Sequence, residues 1–379
     1  MKKCLLLWGC LVSMGLVAQN SPYIHKVYEY APAPGQFVNV MPEITAEDSE
    51  EKVLLKVQNA IAGKANGSLV SLGAWGGYIV VGFDHPVKNL PGEVDLKIYG
   101  NAMPNASEPG VVMVAKDLNA NGLPDDTWYE LKGSEHDNVL TRTGYEVVYY
   151  RPEYNHVPTP HPTQNQISDI YYIQWKDVNG EKAFLEKNTF HNQDYFPLWI
   201  KEDSIVCKGT RLPDNAIDQN GDGSYFAMKT YEWGYADNQP NGKDASCVDI
   251  DWAVDEMGNP ADLSTIDFVK VYTGVLQSNG WAGECSTEIA GMVDLHALKS
   301  DIGQPIYNIY MKQRNEIIYV YTEKPAMFVL YDVLGNKVRE EKLMTGENKM
   351  LIPEHTKGIL IAYIYANNQI HLTQKILRF

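Results

Sequence analysis

Asp267-Phe268-Val269-Lys270-Val271-Tyr272 is the stretch whose reading decides the fold. β-Branched and aromatic side chains are interleaved there with charged ones, the pattern of an extended chain whose successive side chains leave opposite faces. The same texture returns at Tyr78–Phe83, Val94–Tyr99, Gly110–Ala115, Tyr145–Tyr150, Ile170–Trp175, Ser204–Lys208, Ser224–Trp233 and Val248–Trp252. Gly, Pro, Asn and Asp clusters separate these runs and read as turns. Val53–Ala62 has the spacing of one amphipathic helix. No long helix alternates with the strands, so a parallel α/β sheet is excluded, and an all-β sandwich or jelly roll is expected.

A second, smaller strand-rich unit is predicted from near Pro305. Its runs are Ile317–Thr322, Ala326–Asp332, Lys337–Lys342, Lys349–Ile352, Ile359–Ala366 and Ile370–Leu377, with a hairpin turn at Val333-Leu334-Gly335-Asn336. The resulting organisation is a leader over 1–18, a large jelly-roll-like domain over 19–299, and an Ig-like sandwich over 306–379.

The leader reads as a signal peptide: Lys2-Lys3, an apolar run from Leu5 to Val17, and a cleavage position after Ala18. A lipoprotein leader would use Cys10, but Trp8-Gly9 before it fits that pattern poorly. No second segment is long and apolar enough to span a membrane. Cys4 and Cys10 leave with the leader. Cys207, Cys247 and Cys285 then permit at most one disulfide, lack zinc spacing, and read as buried structural residues. The formal charge of −16 falls by two more when Lys2 and Lys3 are removed. That balance opposes nucleic acid and anionic membrane as partners, and suits divalent cations.

The sharpest motif is Asp117-Leu118-Asn119-Ala120-Asn121-Gly122-Leu123-Pro124-Asp125-Asp126. Oxygen-bearing side chains stand at relative positions one, three, five and nine, with glycine at six, as in calcium loops of the EF-hand type. Calcium takes several hard oxygens, and alternate side chains on a tight turn can converge on one point. The expected ligands are Asp117, Asn119, Asn121, the Leu123 carbonyl, Asp125 and Asp126. Trp128 stands where the bidentate glutamate of an EF-hand would be, so Asp126 or Glu130 must close the shell. A weaker relative, Asp218, Asn220 and Asp222 in Asp218-Gln219-Asn220-Gly221-Asp222-Gly223, would need Asp214 or Asn215. A plain polar turn explains it equally well.

The stretch from Arg151 to Gln166, rich in Pro, His, Asn and Thr, is expected to be a long surface loop and a binding face. His156 and His161 lie in it, and a metal role for them would require a third ligand such as His191. Trp75 and Trp281 sit among glycines and are the candidates for exposed stacking residues, while Trp199, Trp233 and Trp252 read as core. Glu108, Glu284 and Glu288 occupy Gly/Pro/Ser-rich turns. Two of them could form a glycosidase pair, but carboxylates near a second cation, or simple turn residues, explain them more readily. No Gly-x-Ser-x-Gly, phosphate-binding glycine loop or His-Glu-x-x-His occurs.

Two resemblances add to this reading. Leu330-Tyr331-Asp332-Val333-Leu334-Gly335-Asn336-Lys337-Val338, Gly358-Ile359-Leu360-Ile361-Ala362-Tyr363 and Gln374-Lys375-Ile376 resemble the C-terminal sorting domain of type IX secretion, with Leu360 where family members usually carry Tyr. This implies outer-membrane export in a member of the Bacteroidetes. Ser21-Pro22-Tyr23, Ser71-Leu72-Gly73, Gly82-Phe83-Asp84, Ser107-Glu108-Pro109-Gly110, Trp128-Tyr129-Glu130-Leu131, Gly209-Thr210-Arg211-Leu212-Pro213 and Ser286-Thr287-Glu288-Ile289-Ala290-Gly291 resemble Bacteroidetes cell-surface proteins with a galactose-binding-like jelly roll. Some of that group are associated with capture of corrinoids. Taken together, motif and resemblance lead to the expectation of a calcium-braced, non-enzymatic surface binder of a corrinoid or a glycan, working with outer-membrane transport or secretion machinery. The rival expectations are a calcium-dependent glycan hydrolase using a glutamate pair, and an adhesion or structural protein.

Overall fold

Thr265–Thr273, which contains the opening stretch, lies within a six-stranded antiparallel sheet of the computed structural model. It pairs with Tyr78–Lys88 on one side and Gly110–Ala115 on the other. Lys26–Ala31 extends the sheet beyond Tyr78–Lys88, and Trp128–Leu131 followed by Ala253–Val254 extends it beyond Gly110–Ala115. The structure describes residues 20–300, 309–314, 316–322, 325–332, 335–366 and 369–378. The leader, with Cys4 and Cys10, and Val333-Leu334 of the expected hairpin lie outside the described residues.

The strand is covered on both faces. Val269 and Val271 are fully buried in the main core with Val81, Leu96, Ile98, Val112, Val114 and Met292. On the other face Tyr272 is buried with Val111, Leu212 and Val275. Lys270, half-buried on that face, places its Nζ 3.9 Å from the centre of the Tyr78 ring. A long aliphatic stem with a ring under its charge lets a lysine line a covered face. Each fully buried aliphatic side chain of this kind contributes roughly 1.5–3 kcal/mol.

A four-stranded antiparallel sheet runs in the order Ser204–Arg211, Arg142–Tyr150, Ile167–Asp177, Lys182–Asn188. Its core is aromatic, with Trp75, Tyr145, Tyr149, Trp175, Tyr195 and Phe196 buried together. A three-stranded sheet, Cys247–Val248, Leu96–Tyr99 and Gly291–Asp294, completes the main core. The helix runs from Glu50 to Ile61. It begins before the predicted Val53 because the Ser49 side chain accepts from the Lys52 N–H and Glu50 and Glu51 stand at the positive end of the helix dipole. Val53, Val57, Ala60 and Ile61 form its buried stripe.

Three expected strands are shorter than predicted, and Val94–Tyr99 begins only at Leu96. Ser224–Trp233 contributes only Phe226–Met228, paired with Ala216–Asp218, and the ladder ends with the Lys229 N–H donating to the Asn215 carbonyl at 2.9 Å. Val248–Trp252 pairs only at Cys247–Val248, because the Asp249 side chain caps the Asp251 N–H at 2.8 Å and starts a 3₁₀ turn. The stretch from Arg151 to Gln166 holds no strand or helix, as expected of a loop. Cys207, Cys247 and Cys285 are buried free thiols.

The chain divides into two compact units between Leu295 and His296. The second unit carries a three-stranded sheet, Ile309–Arg314, Ile317–Thr322 and Gly346–Leu351. A four-stranded sheet runs in the order Lys337–Leu343, Ala326–Asp332, Gly358–Ala366, Gln369–Arg378. Phe328, Leu330, Leu343, Met350, Leu360, Ile364 and Ile376 form its own core. Both units are all-β, as the sequence pattern requires.

Candidate functional site

Asp237 stands in the left-handed region, at φ 50°, a conformation that aspartate tolerates better than most residues. The loop around it is fixed by Asn238, which is fully buried. The Asn238 side chain accepts from the Tyr231 N–H at 2.8 Å and donates to the carbonyls of Tyr231 and Gly234. This delivers the Asp237 carboxylate to three backbone N–H groups: Asn101 at 2.7 Å, Ala102 at 2.8 Å and Glu288 at 3.0 Å. Gly100 leaves the space for that approach, since a Cβ there would lie 2.2 Å from Asp237 Oδ1.

Glu288 lies on the short strand Glu288–Ile289, paired with Val70–Ser71. Its Oε1 accepts from Ser286 Oγ at 2.8 Å, and Ser286 Oγ in turn shares a 2.9 Å hydrogen bond with Ser71 Oγ. The Ser286 N–H donates to Glu108 Oε1 at 3.0 Å. Thr287 Oγ1 ties the same segments together through the Glu108 carbonyl at 2.8 Å. As a result Glu108, Asp237 and Glu288 each offer a carboxylate oxygen, and the three oxygens lie within 4.8 Å of one another.

These carboxyls are removed from bulk water: Asp237 is 3 %, Glu288 2 % and Glu284 5 % exposed. At an effective dielectric constant of about 20, two full negative charges 4.8 Å apart repel by roughly 3 kcal/mol. Burial, then the negative charge of Asp237, raises the affinity of Glu108 for a proton. Burial raises Asp237 as well, against the three N–H donors that favour its anion. Burial and then the charges of Glu108 and Asp237 carry Glu288 well above the carboxylate range. Burial pushes Glu284 up to about 7.

Glu108, Glu284 and Glu288 line a cavity of about 340 Å³. Gln36, Phe37, Phe190, His191 and Trp281 form other parts of its wall. Trp281 is 38 % exposed and meets Phe190 edge to face at 5.7 Å. Phe37 and His191 meet in the same way at 4.7 Å. The wall therefore offers aromatic surface beside carboxylates, a combination suited to a polar ligand with one apolar face.

Of the stacking candidates, Trp281 lies on this wall and Trp75 does not. Trp75 is fully buried, meets Tyr145 edge to face at 5.2 Å and donates from Nε1 to the Thr210 carbonyl at 3.3 Å. Its neighbour Gly76 packs flush on Cys207, where a Cβ would lie 2.5 Å from Cys207 Cβ, so the glycines bury this turn instead of exposing it. His156 pairs with the buried Asp169 on the strand Ile167–Asp177. His161 Nδ1 accepts from the Gln164 N–H at 2.9 Å and holds its own turn. His191 lines the Trp281 cavity, whereas His156 lines the space beside Arg151, Tyr154 and Tyr172, so the three histidines form no common site.

The Asp117–Asp126 turn gathers much of its polar set. Asp117 Oδ1 accepts from the Asn121 N–H at 3.1 Å and Oδ2 from the Gly122 N–H at 2.8 Å. Asn119 and Asn121 donate from Nδ2 to the two oxygens of Asp125 at 3.1 and 2.9 Å. Those bonds, Asn121 first, hold the Asp125 carboxyl below its usual range. Asp126 faces the Leu118 N–H instead, at 3.1 Å. Glu130 is engaged elsewhere, accepting from Thr210 Oγ1 at 2.6 Å and meeting His136 at 3.1 Å. The turn is anchored to the central strand, because Asp267 accepts from the Asp117 N–H at 2.8 Å.

In the second turn Asp218 accepts from the N–H groups of Asn220, Gly221 and Gly223. Asn220 and Asp222 are both directed to Ser224. Asn215 is buried and bonded to the carbonyls of Ser107 and Lys229, and Asp214 faces Arg211 at 3.6 Å. That arrangement is a self-satisfied hairpin turn.

Asp237, Gln36, Phe37 and Phe190 were not singled out by sequence reasoning. The signal available for Asp237 was an acidic residue inside the turn-rich Gly234-Tyr235-Ala236-Asp237-Asn238, which is too common a pattern to mark a site.

No protein-family model matches the chain, and no curated protein matches it. Among solved structures, it is similar to a β-glucuronidase from Ruminococcus gnavus in complex with uronic isofagomine, with 9% identity and a TM-score of 0.16 over 81% of this chain and 36% of that one. A Faecalibacterium prausnitzii β-glucuronidase gives 8% identity and a TM-score of 0.15 over 75% of this chain and 46% of that one. The chain thus spans less than half the length of either enzyme.

Proposed function

We propose that this chain is an exported cell-surface binding protein that captures a glycan in the cavity walled by Trp281, Phe190, Glu108, Glu284 and Glu288. The observation that carries the reading is the half-exposed Trp281 ring, braced by Phe190, beside carboxylates in one 340 Å³ space. A sugar ring presents an apolar face for stacking and hydroxyls for carboxylates. The volume sits at the small end for small-molecule sites and suits a short saccharide better than an intact corrinoid. Calcium in the Asp117–Asp126 turn stiffens the connection between Gly110–Ala115 and Trp128–Leu131, and the C-terminal unit serves export by type IX secretion. The signal-peptide pattern and the sorting-domain resemblance support this location; among the described residues no helix is long and apolar enough to cross a membrane.

One observation favours a hydrolase: Glu284, raised to about 7, has the proton affinity of a general acid. Against it, Glu108 and Glu288 offer oxygens within 4.8 Å of each other, closer than the ~5–9.5 Å separation of glycosidase pairs that flank a bond.

Calorimetric titration of the purified chain with a panel of glycans and with corrinoids tests the proposal. A glycan is expected to bind, and Trp281→Ala to weaken it at least about tenfold, about 1.4 kcal/mol. Stability should change little, as the ring is partly exposed. Silence across the panel, or release of reducing sugar from it, overturns the reading.

A further inference from the structure

Apart from the hydrogen bond that Glu108 and Glu288 make with each other, the hydrogen bonds described at the Glu108, Asp237 and Glu288 carboxylates run toward them. Asp237 takes three backbone N–H groups, Glu108 takes the Ser286 N–H, and Glu288 takes the Ser286 hydroxyl. Donors of this kind stabilise a carboxylate in its charged form. Yet the fold sets the three within 4.8 Å, two of them almost wholly buried. The charges that bear most strongly on Glu108 are those of Asp237 and Glu284, both acidic. A protein that prepares three anions at one point and supplies acidic neighbours has built one half of an ion site.

A separate observation points the same way. Glu284 lines the same cavity and is 5 % exposed. Its Oε1 accepts from the Gln36 N–H at 2.7 Å, while its Oε2 is buried without a hydrogen-bond partner. A buried carboxylate oxygen left without a donor is costly unless something fills the space in front of it.

We propose that Glu108, Asp237 and Glu288 hold a divalent cation, calcium, on the wall of the Trp281 cavity, which Glu284 also lines. The donor set is all carboxylate, the chemistry of a hard ion. Carboxylates from three remote chain segments would then be joined by one ion, which links the folding of this unit to calcium. This site is distinct from the Asp117 turn and stands whether or not the cavity takes a glycan.

The test uses the whole chain without its leader, stripped with chelator. Asp117→Asn/Asp125→Asn silences the turn, and equilibrium dialysis with radioactive calcium counts the ions that remain. One calcium per chain is expected to remain in that background, and Glu288→Gln added to it should weaken binding at least about thirtyfold. Melting in chelator separates loss of the site from loss of the fold. The Glu288→Gln chain should melt at or above its parent, since a repulsion is removed, and calcium should no longer raise its melting temperature. Glu108→Gln provides a second variant with the same expected pattern. The inference is overturned if the silenced-turn chain takes up no calcium at about 10 mM, beyond the roughly millimolar range of weak extracellular sites. It is also overturned if Glu288→Gln and Glu108→Gln leave uptake unchanged, or if zinc binds and calcium does not.

Discussion

The two acidic regions of the first unit are built on opposite principles. The Asp117–Asp126 turn is a contiguous, largely exposed motif, and its side chains satisfy one another: two asparagine amides hold Asp125, and Asp117 takes the turn's own N–H groups. The Glu108–Asp237–Glu288 cluster is drawn from three distant segments, is largely buried, and receives its donors from the surrounding fold. An exposed acidic turn can tolerate the absence of its ion because water screens it. A buried cluster cannot, because its repulsion acts in a poorer dielectric. Acid strength follows the same division: Asp125 is held below its ordinary range, whereas Glu284 and Glu288 are pushed above theirs.

The largest effect that could break this contrast is Asp237→Ala. It strands the buried N–H groups of Asn101, Ala102 and Glu288, and is expected to cost about 3–5 kcal/mol in urea unfolding. Asp237→Asn should cost less, because the amide can still accept from two of the three. A loss below about 1 kcal/mol for the alanine variant would mean that the cluster is not part of the fold's support.

An intermediate effect is a pH dependence seen in chelator. Glu108, Asp237, Glu284 and Glu288 bind protons more tightly folded than unfolded, so their contribution is complete below the ordinary carboxylate range. It is lost as pH rises through the folded values, about 7 for Glu284. Stability should therefore fall between pH 5 and 9 by up to about 1.4 kcal/mol per pH unit for each proton released on unfolding. Glu284→Gln should flatten the melting-temperature profile. A profile that rises over this range would contradict the burial argument.

The smallest effect belongs to the turn. Asp125→Ala is expected to leave the urea midpoint nearly unchanged in chelator, since Asp125 is exposed. In calcium it should forfeit whatever protection the metal gives this turn, read as a lost rise in melting temperature. A penalty in chelator comparable to that of Asp237→Ala would erase the distinction between the two regions.

Much of the fold was legible along the chain. Gly110–Ala115, Ile317–Thr322 and Ala326–Asp332 begin and end where their residues predict. Errors occurred where a polar side chain diverted the backbone, as Asp249 does at its 3₁₀ turn. The site was half legible. Glu108, Glu284, Glu288 and Trp281 stood out in turn-rich segments, but Trp75 stood out for the same reason and is core. A glycine-flanked tryptophan looks the same whether its turn faces water or another sheet, and the covering sheet is remote in sequence.

By itself the sequence determined what depends on neighbours along the chain: strands from β-branched and aromatic runs, the turn at Gly122, the Ser49 cap, and the ordered oxygens from Asp117 to Asp125. The tertiary structure alone decided which charges meet. Asp237 reaches Glu288 only because Asn238 locks one loop, Gly100 leaves space, and Ser286 bridges two glutamates. Spacing along a chain fixes local geometry, but burial and repulsion between distant carboxylates come into being only when folding removes the water between them.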